Sequence, residues 1–294
     1  MANAQPRNTS PVPSAVQPPG VRGRLPLYTP SGLALYACPQ RYFLQKIAHR
    51  PADEAFSPAL ARGKATHRVL EAYGHALRRG EATPGNLAAR VAAALPRDGY
   101  PDERARTEDA AAVLAQVEVG LRHLTAGRRV LAVEAFLRYP YRGDAACPPF
   151  VLGASADAIL EGVDDRGERF LEVVDWKTGR GRGVDLVQEL ALRIVAKHTY
   201  GEGGYAYIVS TTAFLAEDAT WSIVRDDASC RRSWGEMKAT VAAIEAEERW
   251  VPQASTRCLW CPYFQNGCAL DQTDEGGDIG NWLDGAGDGL QGEP

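Results

Sequence analysis

Apolar positions recur at near-helical spacing from the start of the ordered part of the chain. Leu33, Leu35, Tyr36, Phe43, Leu44 and Ile47 form the first such set, behind Ser31, which reads as an N-cap after Pro30. A second helix is expected over Pro58 to Arg79, with Leu60, Val69, Leu70, Tyr73 and Leu77 as its stripe. Two more helical stretches follow, over 84–95 and 104–126. The period then changes to short β-rich runs: Val130 to Tyr139, Ser155 to Leu160 and Arg169 to Lys177. The last two are separated by the turn-forming Asp164-Asp165-Arg166-Gly167. A helix over 184–199, strands over 205–214 and 219–225, and a helix over 228–248 complete the pattern. Strands split by one helix behind a helical section predict an α/β domain.

Composition changes this picture only at the ends. Residues 1–26, rich in Pro, Ser, Asn and Gln, and residues 271–294, rich in Gly and Asp, offer little to bury and read as disordered tails. They carry three arginines and seven acids respectively, which accounts for the whole formal charge of −4 and leaves residues 27–270 neutral. A neutral body can still hold a basic groove, so charge neither supports nor excludes nucleic acid. With 45% apolar residues the body can bury a sizeable core. No apolar run approaches the roughly 18 residues that cross a bilayer, and the N-terminus lacks a secretory pattern. The default compartment is then the cytoplasm, where six cysteines are reduced thiols or metal ligands rather than disulfides.

The chemistry concentrates in Phe170-Leu171-Glu172-Val173-Val174-Asp175-Trp176-Lys177-Thr178-Gly179. On a strand, Asp175 and Lys177 share one face and Glu172, Val174 and Trp176 the other. Asp157, in Gly153-Ala154-Ser155-Ala156-Asp157, belongs to the neighbouring strand of a hairpin, so two carboxylates converge. Paired carboxylates are hard ligands for Mg²⁺ or Mn²⁺. An Asp–Lys ion pair on a surface hairpin is the plainer reading of the tripeptide alone. Near the C-terminus, Cys258-Leu259-Trp260-Cys261 with Cys268 is a ligand signal for a soft metal. Cys38, Cys147 and Cys230 are candidates for a fourth ligand. Arg180 and Arg182, among glycines directly after the Asp175 strand, suit phosphate contact. Arg41 and Tyr42 suit a single strand by charge and stacking, although Tyr42 equally suits the core.

The ordered set is more specific than any member. Gly63-x-x-x-His67 on a helix, Gly153-x-x-x-Asp157 on a strand, Asp175-Trp176-Lys177-Thr178-Gly179 on the next and Gln188 on the following helix resemble the RecB-like branch of the PD-(D/E)XK nucleases, over about residues 29–270. The resemblance implies a restriction-endonuclease-like α/β core with an N-terminal helical section and a C-terminal cluster-binding segment. It implies a divalent metal on His67, Asp157, Asp175 and the Trp176 carbonyl, with Lys177 catalytic and Gln188 beside it. Leu192 departs from the family pattern, which often has a tyrosine four residues after the glutamine. Ala37-Cys38-Pro39-Gln40-Arg41-Tyr42 resembles the first cluster segment of iron–sulfur members, including the AddB nuclease domain and the CRISPR adaptation nucleases. A [4Fe–4S] cluster on Cys38, Cys258, Cys261 and Cys268 is thereby implied, with a structural role. A four-cysteine zinc site is compatible with the spacing alone, and Cys147 and Cys230 read as ordinary thiols. The expected activity is Mg²⁺- or Mn²⁺-dependent hydrolysis of DNA, exonucleolytic on single strands or ends, with helicase or recombination or CRISPR proteins as partners. The alternatives are a spacer-acquisition nuclease and a non-catalytic DNA-binding subunit. Fewer than 30 residues separate Cys38 from His67, so the first helix is expected to pack near the helix carrying His67.

Overall fold

The structure, a computed structural model, describes residues 25–52, 56–81, 85–179, 183–264, 268 and 270. The expected tails fall outside these residues, apart from Leu25 and Pro26. Helix α1 (Pro30–Leu35) is capped by Thr29, whose hydroxyl accepts from the Gly32 amide at 3.1 Å. The cap is therefore Thr29 and not Ser31: Pro30 occupies the first turn, where its missing N–H costs nothing. A short α2 (Pro39–Tyr42) and a π-turn over Phe43–Ile47 break the first helical stretch into pieces. Then come α3 (Pro58–Arg78), α4 (Leu87–Ala94) and α5 (Glu103–Thr125).

Six strands form one mixed sheet: β1 (Leu27–Tyr28), β2 (Arg129–Tyr141), β3 (Phe150–Val163), β4 (Arg169–Lys177), β5 (Tyr207–Phe214) and β6 (Ala219–Ile223). Antiparallel β2 covers one edge of β3. The other edge takes parallel β1 at Val151–Leu152 and antiparallel β4 from Ala158 onward. The turn between β3 and β4 is fixed locally. Asp164 Oδ1 accepts from the amides of Arg166 and Glu168, both at 2.9 Å, and Gly167 supplies a φ of 81°. Helix α6 (Leu186–Tyr200) is the crossover between parallel β4 and β5, and α7 (Asp227–Glu245) follows β6.

Alternation along the strands sorts two cores. Val174 and Trp176 face Ala65, Val69, Leu70, Val113 and Val117 of α3 and α5. Leu171 and Val173 face Leu190, Ala191, Val195, Met237 and Val241 of α6 and α7. Glycine permits the closest approach of α3 to the sheet: a Cβ on Gly74 would sit 2.3 Å from Val133 Cγ1. Leu60, expected in the α3 stripe, is exposed in the first turn of the helix, where it lines an open groove with His67 and Thr178.

Leu33 and Tyr42 belong to the core of α6 and α7, on the opposite face of the sheet from α3. The first helix thus does not pack on the helix carrying His67, although the two are close in sequence. Its aromatic residues find partners at the far end of the chain. Tyr42 stacks on Trp250 with ring centroids 5.9 Å apart, and the Tyr36 hydroxyl donates to Glu247 at 3.1 Å.

Glu161 ties three segments at the sheet's far end, through Arg129 on β2, Arg169 on β4 and the Tyr205 hydroxyl. Hydrogen bonds from Arg129 and Arg169 hold its carboxyl down to about 2. A depressed folded value means stability that is present above the unfolded value of about 4.5 and lost as pH falls through about 2. Glu161→Gln is expected to flatten the decline of melting temperature across that acid window and leave it unchanged at pH 7 to 8 in slope. An identical acid limb in both proteins would remove Glu161 from the account.

Candidate metal centre and its surroundings

The site lies where β3 and β4 part. Their ladder ends at Ala158 and Val174, whereas β4 stays paired with β5 through Asp175, Trp176 and Lys177. The ladder is continued by a side chain: Asp157 Oδ2 accepts from the Trp176 amide at 2.6 Å. This fixes Asp157, 8% exposed, against the very residues that carry the Asp-x-Lys motif. A crevice at the carboxyl end of a parallel strand pair, opened by a parting of neighbours, is the usual place for ligands in such sheets.

Two groups of side chains meet there. In the first, His67 Nδ1 lies 3.0 Å from Glu134 Oε1 and 3.3 Å from Asp157 Oδ1. Ligand atoms of His67, Glu134 and Asp157 all fall within 4.8 Å of one another. Burial pulls the imidazole pKa down, but hydrogen bonds and charge from Asp157 and Glu134 outweigh it and raise it to about 10. The three side chains form a set able to hold a divalent ion, in which the two carboxylates suit Mg²⁺ or Mn²⁺ and the imidazole is the softer ligand. The His67 ring stands edge-on to Trp176 with centroids 6.0 Å apart.

In the second group, Lys177 Nζ lies 2.8 Å from Asp175 Oδ2 and donates to Gln188 Oε1 at 3.2 Å. Gln188 Nε2 donates to Asp175 Oδ1 at 2.6 Å. Burial pushes the Asp175 carboxyl up, the Lys177 charge pulls it down, and Asp157 pushes it up again. Gln188 reaches this pair because Asp185 caps α6, accepting from the amides of Val187 and Gln188 at 3.0 Å. Asp175 and Lys177 share the α6 face of β4, as the alternation requires. Leu192, where the family often has a tyrosine, is a core residue of that helix.

Glu134 was not legible as a site residue. It lies inside a strand and carries a φ of 44°, an unfavourable region for a residue with a Cβ. A register shift between Val130 and Ala132 precedes it on β2, where Leu131 is the extra residue. Backbone irregularity turns the carboxylate toward His67. Lys64 and Arg68 were also missed. They flank His67 on α3 and line, with Gly63, Glu71, Glu134 and Thr178, an open groove beside the metal group. Both are exposed, and the i, i+4 spacing of two cations around a histidine is the signal that could have found them.

The other expected contacts separate. Arg180 and Arg182 lie outside the described residues. Tyr42 is 7% exposed, stacked on Trp250 and at right angles to Tyr36, so it takes the core place that the sequence allowed equally with stacking on a base. Arg41 is half-buried beside it. In the same corner, Cys38 Sγ accepts from the Gln253 amide at 3.5 Å, Cys258 Sγ lies 4.0 Å from the Gln253 carbonyl, and Cys268 Sγ lies 3.1 Å from Gln40 Oε1. Burial raises the Cys268 thiol, and Cys38, Cys261 and Cys258 raise it further by their charge. Cys38 and Cys258 thus meet at Gln253, Cys268 lies beside Gln40, and the Cys261 amide donates to the Cys258 carbonyl at 3.1 Å. Among the described residues no three of their sulfurs lie within 4.8 Å of one another. Cys147 is buried in the same core as Phe150 and Tyr28, and Cys230 packs against that core on α7.

Imidazole and carboxylate groups beside a lysine, at an open fork in a mixed sheet, suit metal-assisted hydrolysis. Residues 28–266 match the PD-(D/E)XK nuclease superfamily, and the chain belongs to that superfamily. It is therefore a nuclease-type hydrolase with an α/β core. No curated protein matches the chain. Among solved structures, the crystal structure of SSO0001 is similar at 14% identity, covering 78% of this chain and 94% of its own, with a TM-score of 0.28. No described helix is long and apolar enough to cross a membrane.

Proposed function

We propose that this protein is a RecB-like nuclease that hydrolyses DNA phosphodiesters with Mg²⁺ or Mn²⁺, exonucleolytically on single strands or ends. The observation that carries the reading is the convergence of His67, Glu134 and Asp157 beside the Asp175–Lys177–Gln188 group. His67, Asp157 and Asp175 would hold the metal, with Glu134 and the Trp176 carbonyl completing the set. When bound, the metal supplies Lewis acidity toward water and toward the phosphate. Lys177, held by Asp175 and Gln188, presents its ammonium to charge developing on the phosphate oxygens. Gln188 positions both of its partners. Lys64 and Arg68 along the groove serve phosphate contact, and the same role is proposed for Arg41, Arg180 and Arg182.

A [4Fe–4S] cluster on Cys38, Cys258, Cys261 and Cys268 belongs to the same reading. A zinc site with four cysteine ligands is compatible with the same spacing. The larger group is favoured by the resemblance of the Cys38 segment and the C-terminal cysteines to cluster segments. Stoichiometric zinc without iron or sulfide in anaerobically purified protein would refute it. Recombination, repair or CRISPR adaptation is the setting that the family resemblance suggests, with helicase or recombination proteins as partners.

Digestion of end-labelled single- and double-stranded DNA with Mg²⁺, Mn²⁺ and EDTA tests the activity. Cleavage that EDTA does not stop, or no cleavage with either cation, would defeat the proposal. The ligand set has its own test. Glu134→Gln is expected to weaken Mn²⁺ affinity by about tenfold to a hundredfold, read by titration calorimetry. An unchanged affinity would remove Glu134 from the metal's surroundings.

A further inference from the structure

Gln116 lies inside the buried stripe of α5, between Val113 and Val117, and is itself only 6% exposed. Its carboxamide is used at both ends. Oε1 accepts from the Thr66 hydroxyl at 3.0 Å, and Nε2 donates to the Thr178 carbonyl at 3.0 Å. Thr66 is fully buried and directly precedes His67, and Thr178 directly follows Lys177. One side chain thus spans the two groups of the site from behind, joining the helix of His67 to the strand end of Lys177. Gly63 allows the same approach: a Cβ there would lie 3.0 Å from Thr178 Oγ1.

The geometry points to Gln116 as a positioning residue that sets the distance between the His67–Glu134–Asp157 group and Lys177. An apolar residue would serve packing at this place in α5 as well, and a buried amide costs desolvation unless both ends are bonded. The Thr178 carbonyl is the first backbone acceptor of the segment after β4, and Lys177 O is already bound to the Leu215 amide at 2.9 Å. Gln116 therefore anchors the backbone at the point where Lys177 leaves the sheet. The inference rests on the nuclease reading, because its consequence is on the rate of cleavage.

Two variants separate positioning from packing. Gln116→Leu leaves the buried Thr66 hydroxyl without its acceptor and is expected to melt lower than wild type. Adding Thr66→Val removes that orphan, and the double variant is expected to melt within about 3 °C of wild type. Its kcat on a short single-stranded oligonucleotide with Mn²⁺ should nevertheless stay about tenfold to a hundredfold low, with KM changed by less than about twofold. In metal-free protein, amide exchange in a peptide covering residues 176–179 should quicken by about tenfold while α3 keeps its protection. A double variant with wild-type kcat and wild-type exchange would show that Gln116 only fills space, and would overturn the inference alone. A wild-type protein that cleaves with neither cation would overturn the nuclease reading and this inference with it.

Discussion

Lys177→Ala is expected to cut end-labelled DNA about a hundredfold to a thousandfold more slowly than wild type while binding it almost as well. The ammonium lies 2.8 Å from Asp175 and 3.2 Å from Gln188, so it is held in one place and needs little reorganisation to meet developing charge. Binding should survive because phosphate contact is spread over other cations, among them Lys64 and Arg68 in the groove. Asp175→Ala should abolish cleavage as well, with a different effect on stability. Burial pushes the Asp175 carboxyl up, which means that the folded protein carries its charge at a cost. Its loss also strips Lys177 and Gln188 of a partner, so metal-free Asp175→Ala is expected to stay folded but to melt lower than wild type. Neither residue is an apolar member of either core, so both variants are expected to stay folded. Wild-type rates in either variant would defeat the assignment and favour a DNA-binding subunit instead.

The second large effect concerns the cysteines. Cys258→Ala is expected to lower stability substantially and to remove hydrogen-exchange protection from residues 29–47 and 250–263. Joining Cys38 to Cys258 closes a loop of about 220 residues, which constrains the unfolded chain considerably. Beyond the sulfurs, the two segments are tied by the Tyr42–Trp250 stack, by Tyr36 to Glu247, and by the Tyr263 hydroxyl donating to the Arg50 carbonyl at 2.9 Å. Both segments are short helical pieces, and they are expected to loosen once the cysteines no longer join them. Helix α3 lies across the sheet, so its protection and the Mn²⁺ affinity of His67 should persist. Unchanged exchange in both end segments would refute the structural role. Loss of protection in β3 and β4 would mean that the cluster supports the whole fold.

Most of the secondary structure was legible because its causes are local. The strand Arg169–Lys177 was read to the residue: a Gly turn starts it, alternation fixes its faces, and Thr-Gly ends it. Asp175 and Lys177 share a face for the same local reason, and the Asp157 hairpin follows from the turn at Asp164. The spacing of Cys258, Cys261 and Cys268 was legible as a ligand signal, and the fold brings Cys38 and Cys258 to opposite sides of the same residue, Gln253.

Tertiary structure alone decided the rest, because the causes are long-range. Thr29 and Ser31 are both able to cap a helix, and the winner depends on where Pro30 fits the first turn. Sequence proximity put the first helix beside α3. Its apolar residues instead fit the α6 and α7 face, where Trp250 closes over Tyr42. Glu134 is one acid in an apolar strand, and only the bulge of β2 against β3 and a left-handed φ bring it to His67 and Asp157. Gln116 is one polar residue in an apolar stripe. Its partners lie 50 and 62 residues away, and no local pattern records a hydrogen bond that exists only once α3, α5 and the end of β4 have packed together.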